Sequence, residues 1–170
     1  MIENSLSLFV FFFVFIGCNQ QRAIQESEVV YDSTSIEDLS LYDVPIITNL
    51  DHFKSHTVEN VKIDSVGLED TEMWLALDLN SNIYTYRVVK DSCTLSSVNV
   101  LSTNDIGTFN TIKLSSQTNL NSFKTIYPNS YKYRWISESN TRLTINVESV
   151  EGQIEFVFNR KKLSSIVFLL

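Results

Sequence analysis

Glycine, cysteine and histidine are scarce in this 170-residue chain, and each scarcity closes off a class of chemistry. The four glycines, Gly17, Gly67, Gly107 and Gly152, stand far apart. They form neither a phosphate-cradling loop nor the Gly-x-Ser-x-Gly elbow that presents a nucleophilic serine. Two cysteines, Cys18 and Cys93, cannot make the disulfide framework of a small secreted scaffold, so stability must come from a core. The only histidines, His52 and His56, lie in Asp51-His52-Phe53-Lys54-Ser55-His56, with Glu59 nearby. On a helix they would share a face at the spacing of a zinc pair. The His-Glu-x-x-His form is absent, though, and a third ligand would have to be a distant carboxylate. Surface histidines near the entrance to a domain are the simpler reading, and no cofactor is implied. The carboxylates Glu69, Asp70 and Glu72 fall in an expected turn, where a solvated cluster is the default.

Positive charge is also short, and it is unevenly placed. The chain carries a formal charge of −7. Residues 19–105 hold 15 acids against 5 bases, whereas residues 106–170 hold 4 acids against 8 bases. An acidic chain is a poor partner for nucleic acid, whose affinity comes mainly from phosphate neutralisation. The basic C-terminal part is suited to solvated strand faces or to contact with anionic lipid or glycan.

The longest apolar run is at the N-terminus, from Leu6 to Ile16, and it ends abruptly at Gly17-Cys18 before Asn19-Gln20-Gln21-Arg22. A helix of roughly a dozen residues rises about 17 Å, too short for a hydrocarbon core of about 30 Å but right for the core of a signal peptide. The tetrad Phe15-Ile16-Gly17-Cys18 resembles the lipobox of bacterial lipoproteins. The resemblance implies cleavage between Gly17 and Cys18 and a diacylglyceryl thioether on Cys18. The mature chain would then be held at a membrane by its N-terminal lipid. Asn19, where an Asp would retain such a protein in the inner membrane, leans toward the outer membrane. With Cys18 acylated no intramolecular disulfide can form, and burial or a strand edge is the expected setting of Cys93.

Three regions follow: a signal peptide over 1–17, a polar tether and lead-in over 18–50, and one β-rich globular domain over 51–170. Leu39 to Ile47 is apolar enough to dock onto the domain as an extended piece around Pro45. The fold class expected is α+β, mostly antiparallel. Val58–Val66 reads as an early strand. Met73, Leu75, Leu77 and Leu79 alternate with Trp74, Ala76 and Asp78, Asn80-Ser81-Asn82 supplies a turn, and Ile83–Val89 returns. Leu95–Leu101 is a weaker strand. One short helix is expected over about 118–127, capped by Thr118 or Ser116 and stopped by Pro128. A four-strand meander then follows, built on Tyr131–Trp135, Leu143–Val147, Ile154–Phe158 and Ile166–Leu170. No internal repeat is evident. The order of strands, short helix ending in Tyr-Pro and hairpins is similar to that of small secreted α+β modules of bacterial envelopes. Among these are the lipoprotein of the outer-membrane assembly machine and β-lactamase-inhibitor-like domains. That likeness bears on fold only.

A non-catalytic binding or structural module of the cell envelope is the leading functional expectation. An envelope hydrolase or metal-dependent enzyme and an inhibitor or immunity-type surface protein are the alternatives. Alternation places Tyr131, Tyr133 and Trp135 on one strand face and Lys132 and Arg134 on the other. Exposed, the aromatic face would be an anchor-rich surface for an envelope protein or glycan. Turned inward it would be core, which is the default because neighbouring strands need an apolar partner.

Overall fold

A computed structural model describes residues 29–42, 44–51, 72–148 and 150–170. Gly17, Cys18, His52, His56 and the expected strand Val58–Val66 lie outside these residues. The described chain is mostly β, in antiparallel ladders apart from one parallel pair. The strands are β1 (Ser33–Thr34), β2 (Leu39–Leu41), β3 (Ile47–Asn49), β4 (Glu72–Leu79), β5 (Asn82–Val89), β6 (Ser92–Asn99), β7 (Gly107–Phe109), β8 (Ile112–Leu114), β9 (Trp135–Ile136), β10 (Asn140–Val147), β11 (Gly152–Asn159) and β12 (Lys162–Leu169). The large sheet runs β1-β10-β11-β12-β6-β5-β4, with β3 on β6 and β9 on β10; β2, β7 and β8 form a second, small sheet.

Alternation sets the strands. In β4, Leu75 and Leu77 point into the core while Trp74 and Ala76 take the opposite face. Asn80 and Ser81 both adopt positive φ (51° and 64°), the two-residue hairpin turn whose twist matches the flanking strands. Arg160 and Lys161 do the same between β11 and β12 (46° and 69°). Neither residue is glycine or asparagine, so that turn costs roughly 1 kcal/mol or more per residue.

The large sheet contains a duplication that the sequence hides. Strands β4–β6 and β10–β12 are each three consecutive eight-residue strands in a meander. Leu95-Ser96-Ser97-Val98 in β6 corresponds to Leu163-Ser164-Ser165-Ile166 in β12. Val98 pairs directly with Ile166, Ser97 with Val167 and Asn99 with Ser165, so the pairing has an approximate twofold axis between β6 and β12.

The segment between the meanders covers the inner face of the second one. The expected short helix is present but displaced. Leu120–Phe123 is a single 3-10 turn capped by Asn119, and the α-helix, α1, is Pro128–Lys132. Pro128 opens this helix instead of ending one, because the first helical position needs no N–H and favours the fixed φ of proline. Tyr131, expected in the first strand of the closing meander, therefore lies in α1, and only Trp135–Ile136 pairs with β10. Phe123 and Tyr127 pack with Phe109, Phe156 and Phe158 in one aromatic cluster, with ring centroids 4.8–6.3 Å apart.

Part of the segment read as tether and lead-in belongs to this body. Leu39, Leu41 and Val44 are buried, β2 pairs with β7, and β1 runs parallel to β10. Pro45 takes part as well, because its carbonyl accepts a 2.7 Å hydrogen bond from the hydroxyl of Tyr86, a fully buried residue of β5. Burial, then the neighbouring Tyr84 and Cys93, pushes the Tyr86 hydroxyl well above its ordinary value of 10.0. The folded chain thus keeps a proton that the unfolded chain releases. Stability from this group is whole below about pH 10 and is lost as the pH rises beyond it. Denaturant titrations between about pH 9 and 11 should show stability falling more steeply in wild type than in Tyr86→Phe. At neutral pH that variant should lose about 1 kcal/mol with its hydrogen bond. Equal alkaline slopes would contradict the assignment.

Candidate functional site

The aromatic residues singled out from the sequence come together at the surface beside α1. A distant residue fixes this helix. The Asp32 carboxylate accepts from the Ser130 amide at 2.8 Å and from Asn129 Nδ2 at 3.2 Å, and the Asp32 amide donates to Ser130 Oγ at 3.0 Å. Asp32 thereby satisfies helix-start donors that Tyr127, at the N-cap, leaves without a side-chain partner. Its carbonyl accepts from the Asn146 amide at 2.9 Å, which ties the same point to β10. Asp32 therefore links the foot of α1 to β10.

Beyond α1 the backbone turns at Tyr133 and runs into β9, where Trp135 pairs with Arg142 and Ile136 with Thr141. The default expectation of a buried aromatic strand face is corrected here. Trp135 is 57% exposed, Ile136 59% and Tyr133 38%, while Tyr131 is half-buried. The expected separation of rings from cations also fails, because helical geometry replaces a strand's alternation. Lys132 Nζ lies 4.7 Å from the centre of the Tyr133 ring, and Arg134 stacks 4.2 Å over Tyr131 while donating to the Tyr131 carbonyl. Arg142 lies 5.7 Å over Trp135 and 3.4 Å from the Glu155 carboxylate. From the 3-10 turn, Lys124 approaches Tyr131 at 5.9 Å, and the Tyr131 hydroxyl donates to Asn121. The result is a shelf of rings and cations with an apolar edge at Ile136. Each exposed cation–π pair contributes roughly 0.5–1 kcal/mol, enough to orient long side chains but not to bury them.

Among the described residues, open clefts lie elsewhere. One, of about 480 Å³, sits at the β10–β11 turn beside Asn146, Gly152 and Gln153. Another, of about 420 Å³, lies on the outer sheet face between Trp74, Arg87, Thr94 and Leu170. Among the described residues, Glu151 is the one ionisable group lining the first and Arg87 the one lining the second. Among the described residues no group of three or more His, Cys, Asp or Glu is placed to hold a metal ion. Cys93 is fully buried in β6.

Sequence reading missed Trp74, which shares the outer face with Trp135; its alternation with Leu75 was the available signal. It also missed Asp32, for which no local pattern exists. No family model, curated protein or solved structure matches this chain.

Proposed function

We propose that this chain is a lipid-anchored protein of the bacterial cell envelope, acylated at Cys18 and held at the outer membrane. Its β-rich body works by surface contact, without catalysis. The leader supports the anchor: a short apolar run closing on Phe15-Ile16-Gly17-Cys18. The observation that carries surface contact is the shelf itself, where Tyr133, Trp135 and Ile136 stand exposed at a sheet edge with cations over the rings. In this reading β9 to β12 act as one four-strand meander that presents the shelf. Tyr and Trp give large contact area at low entropic cost, which is why they dominate binding hot spots.

Labelling cells with a fatty-acid analogue tests the anchor. Wild type should carry the label and Cys18→Ala should lose it; a labelled Cys18→Ala protein refutes the anchor. Hydroxyl-radical footprinting tests the contact. Tyr133 and Trp135 should oxidise several-fold more slowly in intact envelopes than in detergent solution. Equal rates would show that the shelf touches nothing there.

A further inference from the structure

We infer that the shelf at Tyr133, Trp135 and Ile136 docks onto an anionic bilayer surface, the same membrane that holds the acylated Cys18. The inference rests on the lipid-anchor reading above and adds the partner of the aromatic surface.

Charge is the first ground. Lys124, Lys132, Arg134 and Arg142 surround the rings. The β11–β12 turn adds Arg160, Lys161 and Lys162 at the same end of the sheet, since the Arg160 amide donates to the Ser139 carbonyl in the turn that follows β9. Glu138 and Glu155 are the acids among these residues. This patch lies on a chain whose net charge is −7, so the basic residues are gathered here and not spread. Arg160 and Lys161 also hold positive φ, a strained setting that a glycine or asparagine would occupy freely.

Side-chain type is the second ground. Tyr and Trp settle at the headgroup level, where a ring is half apolar and half wet, and Lys and Arg are drawn to anionic lipid. Ile136 gives the apolar edge.

Reach is the third. Thirteen residues lie between Cys18 and Asp32, whose carboxylate holds the start of α1. Whatever their path, they span at most about 50 Å. The acylated end therefore keeps the foot of α1 within about 50 Å of the bilayer, at high effective concentration.

The chain has two tryptophans, so Trp74→Phe leaves Trp135 as the sole indole reporter. Full-length Trp74→Phe protein is purified from membranes, its acylation is read by mass, and it is reconstituted in vesicles. One set is phosphatidylcholine and the other is phosphatidylcholine with phosphatidylglycerol, each with and without brominated chains. On anionic vesicles Trp135 emission should shift to the blue and be quenched several-fold more than on neutral ones. High salt should remove the difference. Arg160→Glu and Lys161→Glu should each weaken it by fivefold or more, because each lost cation accounts for about fivefold in partitioning. Equal emission and quenching on both vesicles, with the acyl mass present, overturns the inference. Protection of Trp135 in whole envelopes without lipid quenching points to a protein or glycan partner and also overturns it. A missing acyl mass refutes the anchor alone; the quenching comparison then still decides the shelf, for or against.

Discussion

Phe156→Ala should destabilise the domain by about 3–5 kcal/mol, a large part of the roughly 5–15 kcal/mol that holds a typical domain together. Phe156 is fully buried in β11, with its ring centre 4.9 Å from that of Phe109 and 4.8 Å from that of Phe123. These neighbours come from the small sheet and from the 3-10 turn, so one side chain joins three separate parts of the chain. Removing it takes away the transfer free energy of the ring and leaves a cavity. Ring neighbours held by backbone on every side collapse only in part. With a urea slope of about 1–3 kcal/mol per molar, the unfolding midpoint should fall by roughly 2 M. Phe156→Leu keeps more of the buried volume and should recover more than half of the loss. If Phe156→Ala costs under about 1 kcal/mol, the aromatic cluster is not where the layers are joined.

What was legible in the chain tracks how local its cause is. The β4–β5 hairpin could be read because alternation and the Asn80-Ser81 turn lie within twenty residues, and the observed register pairs Leu79 with Asn82 across that turn. The β10–β11–β12 strands could be read for the same reason. Pro128 misled, since the same residue marks the residue after a helix or the first residue in one. Which applies here is decided by Asp32, nearly a hundred positions away, whose carboxylate meets the Ser130 amide. Of the small sheet β2-β7-β8 only the docking of the segment from Leu39 as an extended piece could be read, because three-residue strands are too short to show a period. The duplication was hidden because core positions demand only apolar character. Tyr84 and Tyr86, which pair with Val98 and Leu95, stand where the second meander has Phe156 and Phe158, which pair with Ile166 and Leu163. The shelf was found as a set of residues and misplaced as a surface. Its types were visible, but exposure depended on Tyr131 being helical, and so again on Asp32.

Gly107→Ala should cost about 3 kcal/mol or more, and it separates two reasons for a glycine. Among the described residues no glycine has positive φ, so the backbone at Gly107 is one that alanine adopts freely. On conformational grounds alone the change should stabilise by about 0.4–1 kcal/mol, because alanine restricts the unfolded chain. Space decides the other way. A Cβ at Gly107 would sit 2.2 Å from the Ser40 carbonyl oxygen and 3.0 Å from Leu41 Cα, both backbone atoms of β2. No rotamer relieves that contact, so β2 must move away from β7. Leu39 and Leu41, which β2 buries, would be drawn from the core with it. Overpacking by even one methyl commonly costs about 1–3 kcal/mol, and a clash against backbone belongs at the upper end or beyond. The loss should show in denaturant titration and in faster amide exchange over Leu39–Leu41 than over β10–β12. A neutral or stabilising Gly107→Ala would mean that β2 does not lie against β7. The burial of Leu39 and Leu41 against the small sheet would then be wrong, while the tie of Asp32 to α1 would stand.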